Sequence, residues 1–296
     1  MAYDPDVWST GAPHGGMAVA TLAFAVAAAA CSPRVLVVVG TDPCADGGSV
    51  LGCAPPGLLD DLIGYWQLDD GPGSVVARDA SGRGNHGTLH QLDPATAWVE
   101  GRAGTGVNVA GQGWIAVASS DSIGLITDRV TVSAWVSLEG TIVPDPGSTD
   151  VGWATALSRQ RGTALDQHYH LGLTLDGRPH LFIVPAGGFV SVTAPDPVVR
   201  ATWVHIAGVY DGVEARVFVD GTLASRQPVS GTFAMDSTPV IIGGNYNNAG
   251  ATPTELFPGR LDEVMLYRRA LSDEEIRQLA DGRLFPVTSR DAGSGN

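Results

Sequence analysis

Short apolar runs separated by turn residues fill the chain from Asp61 onward. Val130–Val136, Tyr169–Leu175, His180–Val184, Val204–Tyr210, Ala215–Val219 and Val240–Ile242 alternate or run apolar over the length of a strand. Their spacing of about ten residues is the pattern of antiparallel sandwich strands. Between them Asp176-Gly177, Asp211-Gly212 and Asp220-Gly221 supply the positive φ that tight hairpin turns require, so these strands are expected to meander. One helix is expected near the carboxyl end: Ser272 caps it, Glu275 reaches back to the cap, Ile276 and Leu279 form its apolar stripe and Gly282 stops it. Alternation through Arg260–Tyr267 puts Asp262, Val264 and Leu266 on one face, and through Gly64–Asp70 it joins Trp66 to Leu68. The expectation is that Trp66, Val209 and Val264 face one another across two layers. The chain has no repeat at a fixed period, which excludes a propeller or solenoid. It is also too strand-rich for a doubly wound α/β fold.

Charge narrows the function classes. The 296 residues carry 17 basic side chains, all of them Arg, against 31 acidic ones, a formal charge of −14. That is the wrong sign for a phosphate-backbone binder, and nucleic acid is excluded as a partner. Without Lys, Schiff-base, P-loop and Lys-base chemistry are excluded too. Met17–Ala30 is free of charge, too short to cross a bilayer as a helix and as long as the apolar region of a secretory signal. Cys31 follows three alanines, an arrangement similar to the box at which bacterial lipoproteins are cleaved and lipidated, although no Lys or Arg precedes the run as that pattern wants. A buried Ala-rich helix is the alternative. Cys44 and Cys53 fit no zinc spacing, and in an oxidising compartment they would close a small loop worth about 2–3 kcal/mol. The expected organisation is a signal or lipoprotein-like segment at 1–31, a linker at 32–60, a folded body at 61–283 and a flexible tail at 284–296. The protein is then exported, and held at the outer membrane or cell surface by a lipid on Cys31, with a periplasmic or secreted form as the alternative.

Several ordered motifs carry a resemblance. They are Leu62–Gly71 (LIGYWQLDDG) with Asp79–Leu89 (DASGRGNHGTL), Trp203–Gly212 (WVHIAGVYDG) with Val217–Gly221 (VFVDG), and Gly259–Ile276 (GRLDEVMLYRRALSDEEI). Together they resemble the opening, central hairpins and closing strand of concanavalin A-like, laminin-G-type domains. The resemblance implies an all-β fold, an antiparallel two-sheet jelly-roll sandwich with one short C-terminal helix. A structural calcium is common in that superfamily, and Asp79 and Asp262, joined by Asp69 and Asp70, are the candidate ligands. The residues alone leave a second account open, in which Asp79 and Asp262 accept backbone N–H bonds at turns.

Relatives of this fold that hydrolyse glycosides carry an E-x-D-x-x-E or E-x-D-x-E strand, and no such string occurs among the chain's seven Glu. On a regular strand Glu263 and Asp262 point to opposite faces and cannot flank one bond. Glu274 and Glu275 belong to the helix start, and there is no G-x-S-x-G elbow. His168, His170 and His180 could approach one another on a hairpin as zinc ligands, but exposed polar positions account for them as well. His205 reads as a half-buried structural residue. Sugar recognition combines an aromatic platform with amide and carboxylate partners, which selects Asn245, Tyr246, Asn247 and Asn248 together with Trp114 and Trp153. The expected function is therefore a non-catalytic extracytoplasmic module that binds a glycan or a cell-surface protein. A structural surface or adhesion module and a divergent glycoside hydrolase are the alternatives.

Overall fold

The computed structural model describes residues 57–144, 152–160, 167–186, 188–234, 236–246 and 252–282. In chain order the first strands are β1 (Leu62–Trp66), β2 (Val76–Ala77), β3 (Gly87–His90), β4 (Trp98–Glu100), β5 (Thr105–Asn108) and β6 (Trp114–Val117). A single helical turn, α1 (Asp121–Gly124), precedes β7 (Val130–Leu138), β8 (Trp153–Gln160), β9 (Gln167–Thr174), β10 (Pro179–Ile183) and β11 (Val190–Thr193). The remaining elements are β12 (Trp203–Tyr210), β13 (Glu214–Val219), β14 (Thr222–Pro228), β15 (Val240–Ile242), β16 (Gly259–Tyr267) and α2 (Asp273–Ala280).

These strands form two antiparallel sheets. The first has the order β14-β13-β12-β7-β16-β5-β4, with β1 also paired to β16, and the second has the order β11-β10-β9-β8-β15-β6-β3-β2. The jelly-roll sandwich expected from the sequence is the fold. Period-2 alternation explains how the layers close: in β7 Val130, Val132, Ala134, Val136 and Leu138 enter the main core, while Thr131, Ser133, Trp135 and Ser137 take the outer face. Opposite them Leu171, Leu173, Leu181, Ile183, Ile115 and Ile242 complete that core from the second sheet.

A second, smaller core lies on the outer face of the first sheet, where Tyr65, Ala207, Val209, Phe218, Met265 and Tyr267 meet Ile276 and Leu279 of α2. The helix start is as expected, since the Ser272 hydroxyl accepts from the Glu275 amide at 3.3 Å and the Glu275 carboxylate accepts from the Ser272 amide at 2.8 Å. Gly221 lets the helix settle there: its φ is +76°, and a Cβ would lie 3.0 Å from the Cα of Arg277.

Two expectations about facing residues are corrected. Trp66 and Val264 are register partners within the first sheet rather than opposed across the layers, and Val209 lies on the outer face. Asp262 does not share a face with Val264 and Leu266. A β-bulge interrupts the β7–β16 register between Asp262 and Met265, with Glu263 at φ +50°. The inserted residue shifts parity: Leu261, Val264 and Leu266 point inward, while Asp262 is paired with outward-facing Trp135.

Candidate functional site

Three connections converge at one end of the second sheet. The Ala186 amide donates to the Thr232 carbonyl at 2.9 Å, joining the β10–β11 loop to the β14–β15 loop, and the Phe233 amide donates to the Thr127 carbonyl at 2.6 Å, joining the latter to the β6–β7 loop. On one side of the shared loop is a hollow of about 460 Å³ lined by Val184, Pro185, Phe189, Thr232, Phe233 and others. On the other side is a hollow of about 590 Å³ lined by Ser119, Ser120, Asp121, Leu125, Asp236 and Ser237. Phe189 is 71% exposed, so one aromatic side chain is presented to solvent at the wall of the first hollow.

The dividing loop is anchored from beneath. Arg159 of β8 is fully buried and donates from Nη2 to the Asp236 carbonyl at 3.1 Å and carboxylate at 3.0 Å, and from Nε to the Thr238 carbonyl at 3.3 Å. His168 Nε2 lies 2.8 Å from the other Asp236 oxygen. Burial works against ionisation of Asp236, but the Thr238 amide, His168 and Arg159 together hold its carboxyl below the usual range. Phe233 wedges the loop into the core against His168, Tyr169 and Tyr210, with ring centroids 5.4–5.9 Å apart.

From Phe189 a column of rings runs along the outer face of the second sheet. Phe189 meets Phe182 at 5.7 Å, Phe182 meets His180 at 6.4 Å, and His180 stacks on Trp153 at 4.1 Å and 22°. Rings stacked along a column cover one another's faces, so the open face belongs to its solvent-exposed end. At the Trp153 end the polar groups are buried among themselves. Thr155 Oγ1 lies 2.9 Å from His170 Nε2, and Asn245 Nδ2 donates to Glu255 at 2.7 Å and to Gln160 at 3.2 Å. Burial pushes His170 down to about 3 and, with His170 beside it, takes His180 well below the usual imidazole range.

The binding residues selected from the sequence are only partly brought together. Asn245 joins the Glu255 cluster, Trp153 joins the ring column, and Trp114 is buried in a stack on His90 at 5.4 Å and 7°. Tyr246 is partly buried, and Asn247 and Asn248 lie outside the described residues, as do Cys31, Cys44 and Cys53. None of the selected residues that are described lines either hollow. What was missed is Phe189, Asp121, Asp236 and Arg159. The available signal was Arg159 itself, a cation in an apolar strand that demands a buried acidic partner.

The four carboxylates named as calcium candidates are each engaged by main-chain donors. Asp79 spends both oxygens on the amides of Tyr65, Ser81 and Asn85 and on the Ser81 hydroxyl, at 2.8–3.0 Å. Asp262 accepts from the amides of Arg102, Ala103 and Glu263 at 2.7–3.0 Å, Asp69 accepts from Thr105, and Asp70 from Arg78. Among the described residues no three His, Cys, Asp or Glu side chains are grouped to hold a metal ion. Each of the four accepts a backbone amide, the arrangement that the second account describes. His168, His170 and His180 likewise form no such group. His205, expected to be half-buried, is buried against Trp135 at 5.5 Å and pushed down to about 3.

The bulge in β16 also revises the reading of Asp262 and Glu263 as opposed. Both carboxylates lie on the outer side of the first sheet, where the Tyr65 hydroxyl donates to Glu263 at 2.5 Å. Burial raises Asp262 to about 8 against the pull of three amides, and burial with Asp262 nearby takes Glu263 well above the usual range. Neither side chain lines a hollow.

A family model described as the concanavalin A-like lectin/glucanases superfamily matches residues 109–277. No curated protein matches the chain by sequence. Among solved structures the chain is similar to domain 4 of AbnA, an extracellular GH43 arabinanase from Geobacillus stearothermophilus, in complex with arabinotriose. The identity is 20% over 74% of this chain and 98% of that one, with a TM-score of 0.55. It is similar to the binding domain of Paraclostridial Mosquitocidal Protein 1, with 18% identity over 76% of this chain and 53% of that one and a TM-score of 0.55. It is also similar to Trypanosoma rangeli sialidase in complex with a difluoro-nononic acid, with 17% identity over 74% of this chain and 32% of that one and a TM-score of 0.53. The chain thus spans nearly all of the first, about half of the second and a third of the third. At these identities the likeness is one of fold.

Proposed function

The chain belongs to the concanavalin A-like lectin/glucanases superfamily, and from that premise we propose that its body is a non-catalytic module that binds a glycan at the two hollows beside Phe189. One observation carries the reading: a strongly exposed phenyl ring at the wall of an apolar hollow, with a hydroxyl- and carboxylate-lined hollow across a single anchored loop. A pyranose or furanose offers an apolar face to a ring and hydroxyls to planar acceptors, and the two hollows supply one of each. One solved neighbour, which the chain covers almost whole, holds arabinotriose in its complex, which supports a glycan over a protein as partner.

Glycoside hydrolysis needs one carboxyl that stays protonated and one that is ionised. Asp236 is held ionised by Arg159 and His168, and the protonated carboxyls, Asp262 and Glu263, are buried on the other sheet. Neither Asp262 nor Glu263 lines a hollow, and this supports binding without turnover. No described helix is long and apolar enough to cross a membrane. With the signal-like amino end, the proposal places the module outside the cytoplasm, held by a lipid on Cys31.

The test is a glycan array probed with the full chain and with Phe189→Ala. Binding to an oligosaccharide that the variant weakens about tenfold, with no release of reducing ends, is the expected result. Polysaccharide cleavage would overturn the non-catalytic reading, and absence of any glycan binding would favour a structural surface module.

A further inference from the structure

Resting on the glycan reading above, we infer that the site selects uncharged, hydroxyl-donating glycans and rejects those bearing carboxylate or sulfate. Among the described residues the charged side chains lining the polar hollow are Asp121 and Asp236, and no Arg or His lines either hollow. Arg159, directly beneath, is fully buried, gives Nη2 to Asp236 and Nε to the Thr238 carbonyl, and lines neither hollow. Arg129, at the end of the β6–β7 loop, is paired with Asp128 at 3.8 Å. A carboxylate can only accept hydrogen bonds. Asp121, with Asp236, whose oxygens already take bonds from Arg159, His168 and Thr238, therefore meets a neutral sugar's hydroxyl donors productively and an acidic sugar's oxygens with acceptor against acceptor.

Desolvating an anion there without a counter-ion is costly. The net charge of −14 adds a repulsive field along the approach. Of the ligand chemistries of the neighbouring folds, the polar hollow fits a neutral oligosaccharide such as arabinotriose.

The experiment measures binding of the full chain to neutral arabino-, xylo- and gluco-oligosaccharides beside oligogalacturonate, sialyllactose and a heparin fragment. It is repeated with Asp121→Arg and, as a second route to the same change, Ser237→Arg, each checked for an unchanged near-ultraviolet circular dichroism spectrum. Asp121 is exposed, so its replacement does not disturb the core. The expected result is binding confined to neutral probes in the natural chain, with a gain of at least tenfold for an acidic probe in the Arg variants. An acidic probe bound by the natural chain as tightly as a neutral one overturns this inference and leaves the glycan reading standing. Arg variants that change neither class of probe overturn it as well, because binding then lies elsewhere. Failure of every glycan to bind defeats the glycan reading itself.

Discussion

Trp135, His205 and Asp262 lie side by side on the outer face of the first sheet, and Trp153, His170 and Glu255 form a similar group on the outer face of the second. Burial pushes both imidazoles down to about 3. Yet the first group is closed off: Arg102 lies over Trp135 at 4.4 Å, the Arg102 and Ala103 amides cap Asp262, and α2 covers the neighbouring strands. The second group continues through Phe182 to an exposed ring and a hollow. Residue types that suggest chemistry thus occur in both places. What separates scaffold from site is the path to solvent, which long-range packing decides.

The sharpest test of that contrast is a pair of truncations. Trp135→Ala is expected to cost about 3–5 kcal/mol, the usual penalty for emptying a buried aromatic site, with glycan affinity unchanged. Arg159→Met strips the buried partner from Asp236, and because that carboxylate is partly exposed the expected cost is nearer 3 kcal/mol. This second variant should also abolish glycan binding, since the loop between the hollows loses its anchor. Denaturant unfolding and calorimetric titration separate the two, and a Trp135→Ala protein that loses binding while Arg159→Met keeps it would reverse the assignment of the faces.

The carboxylates of the closed face give the next effect. Asp262 and Glu263 are raised in the folded chain, so the folded state holds protons that the unfolded state releases. Their contribution is fully present below the ordinary carboxylate range near 4, and that of Asp262 is lost as the pH rises through about 8. Tm is therefore expected to fall by several degrees between pH 5 and pH 8.5. Glu263→Gln keeps an acceptor for Tyr65 and removes a charge, and it should recover about 1–2 kcal/mol at pH 8.5. Tyr65→Phe, which withdraws the hydroxyl from Glu263, should cost about 1–3 kcal/mol. A Tm that is flat across this range would mean that the pair carries no such protons.

Local chemistry made much of the fold legible. Strand periodicity located β7, β9, β10, β12, β13 and β15, and the Ser272–Glu275 box located α2, because each depends on neighbours a few residues apart. The face of Asp262 was not legible: the bulge at Glu263 has no glycine to announce it and lies where β16 changes partner from β5 to β1. The site was illegible for the same reason. Phe189 follows Ala186–Gly188 and reads as a loop residue, and the pairing of Ala186 with Thr232 and the ring contact with Phe182 hold it at the hollow. Asp236 finds Arg159 77 positions away. Asn245 and Trp153 were selected for their type, and they sit among buried side chains that line neither hollow.

Phe189→Ala gives the smallest stability effect and separates the two faces most cleanly. A ring 71% exposed has little apolar area to lose on truncation, so the expected change in unfolding free energy is under about 0.5 kcal/mol. Its expected effect on binding is about tenfold, or about 1.4 kcal/mol, because the stacking face it offers is used only when a ligand is present. Phe189→Trp keeps a face and should retain affinity, whereas Phe189→Leu keeps apolar area without a π-face and should not. Equal losses for Leu and Trp would mean that the hollow recognises shape alone, and an unchanged affinity for Ala would remove Phe189 from the site and with it the basis for treating the second face as the open one.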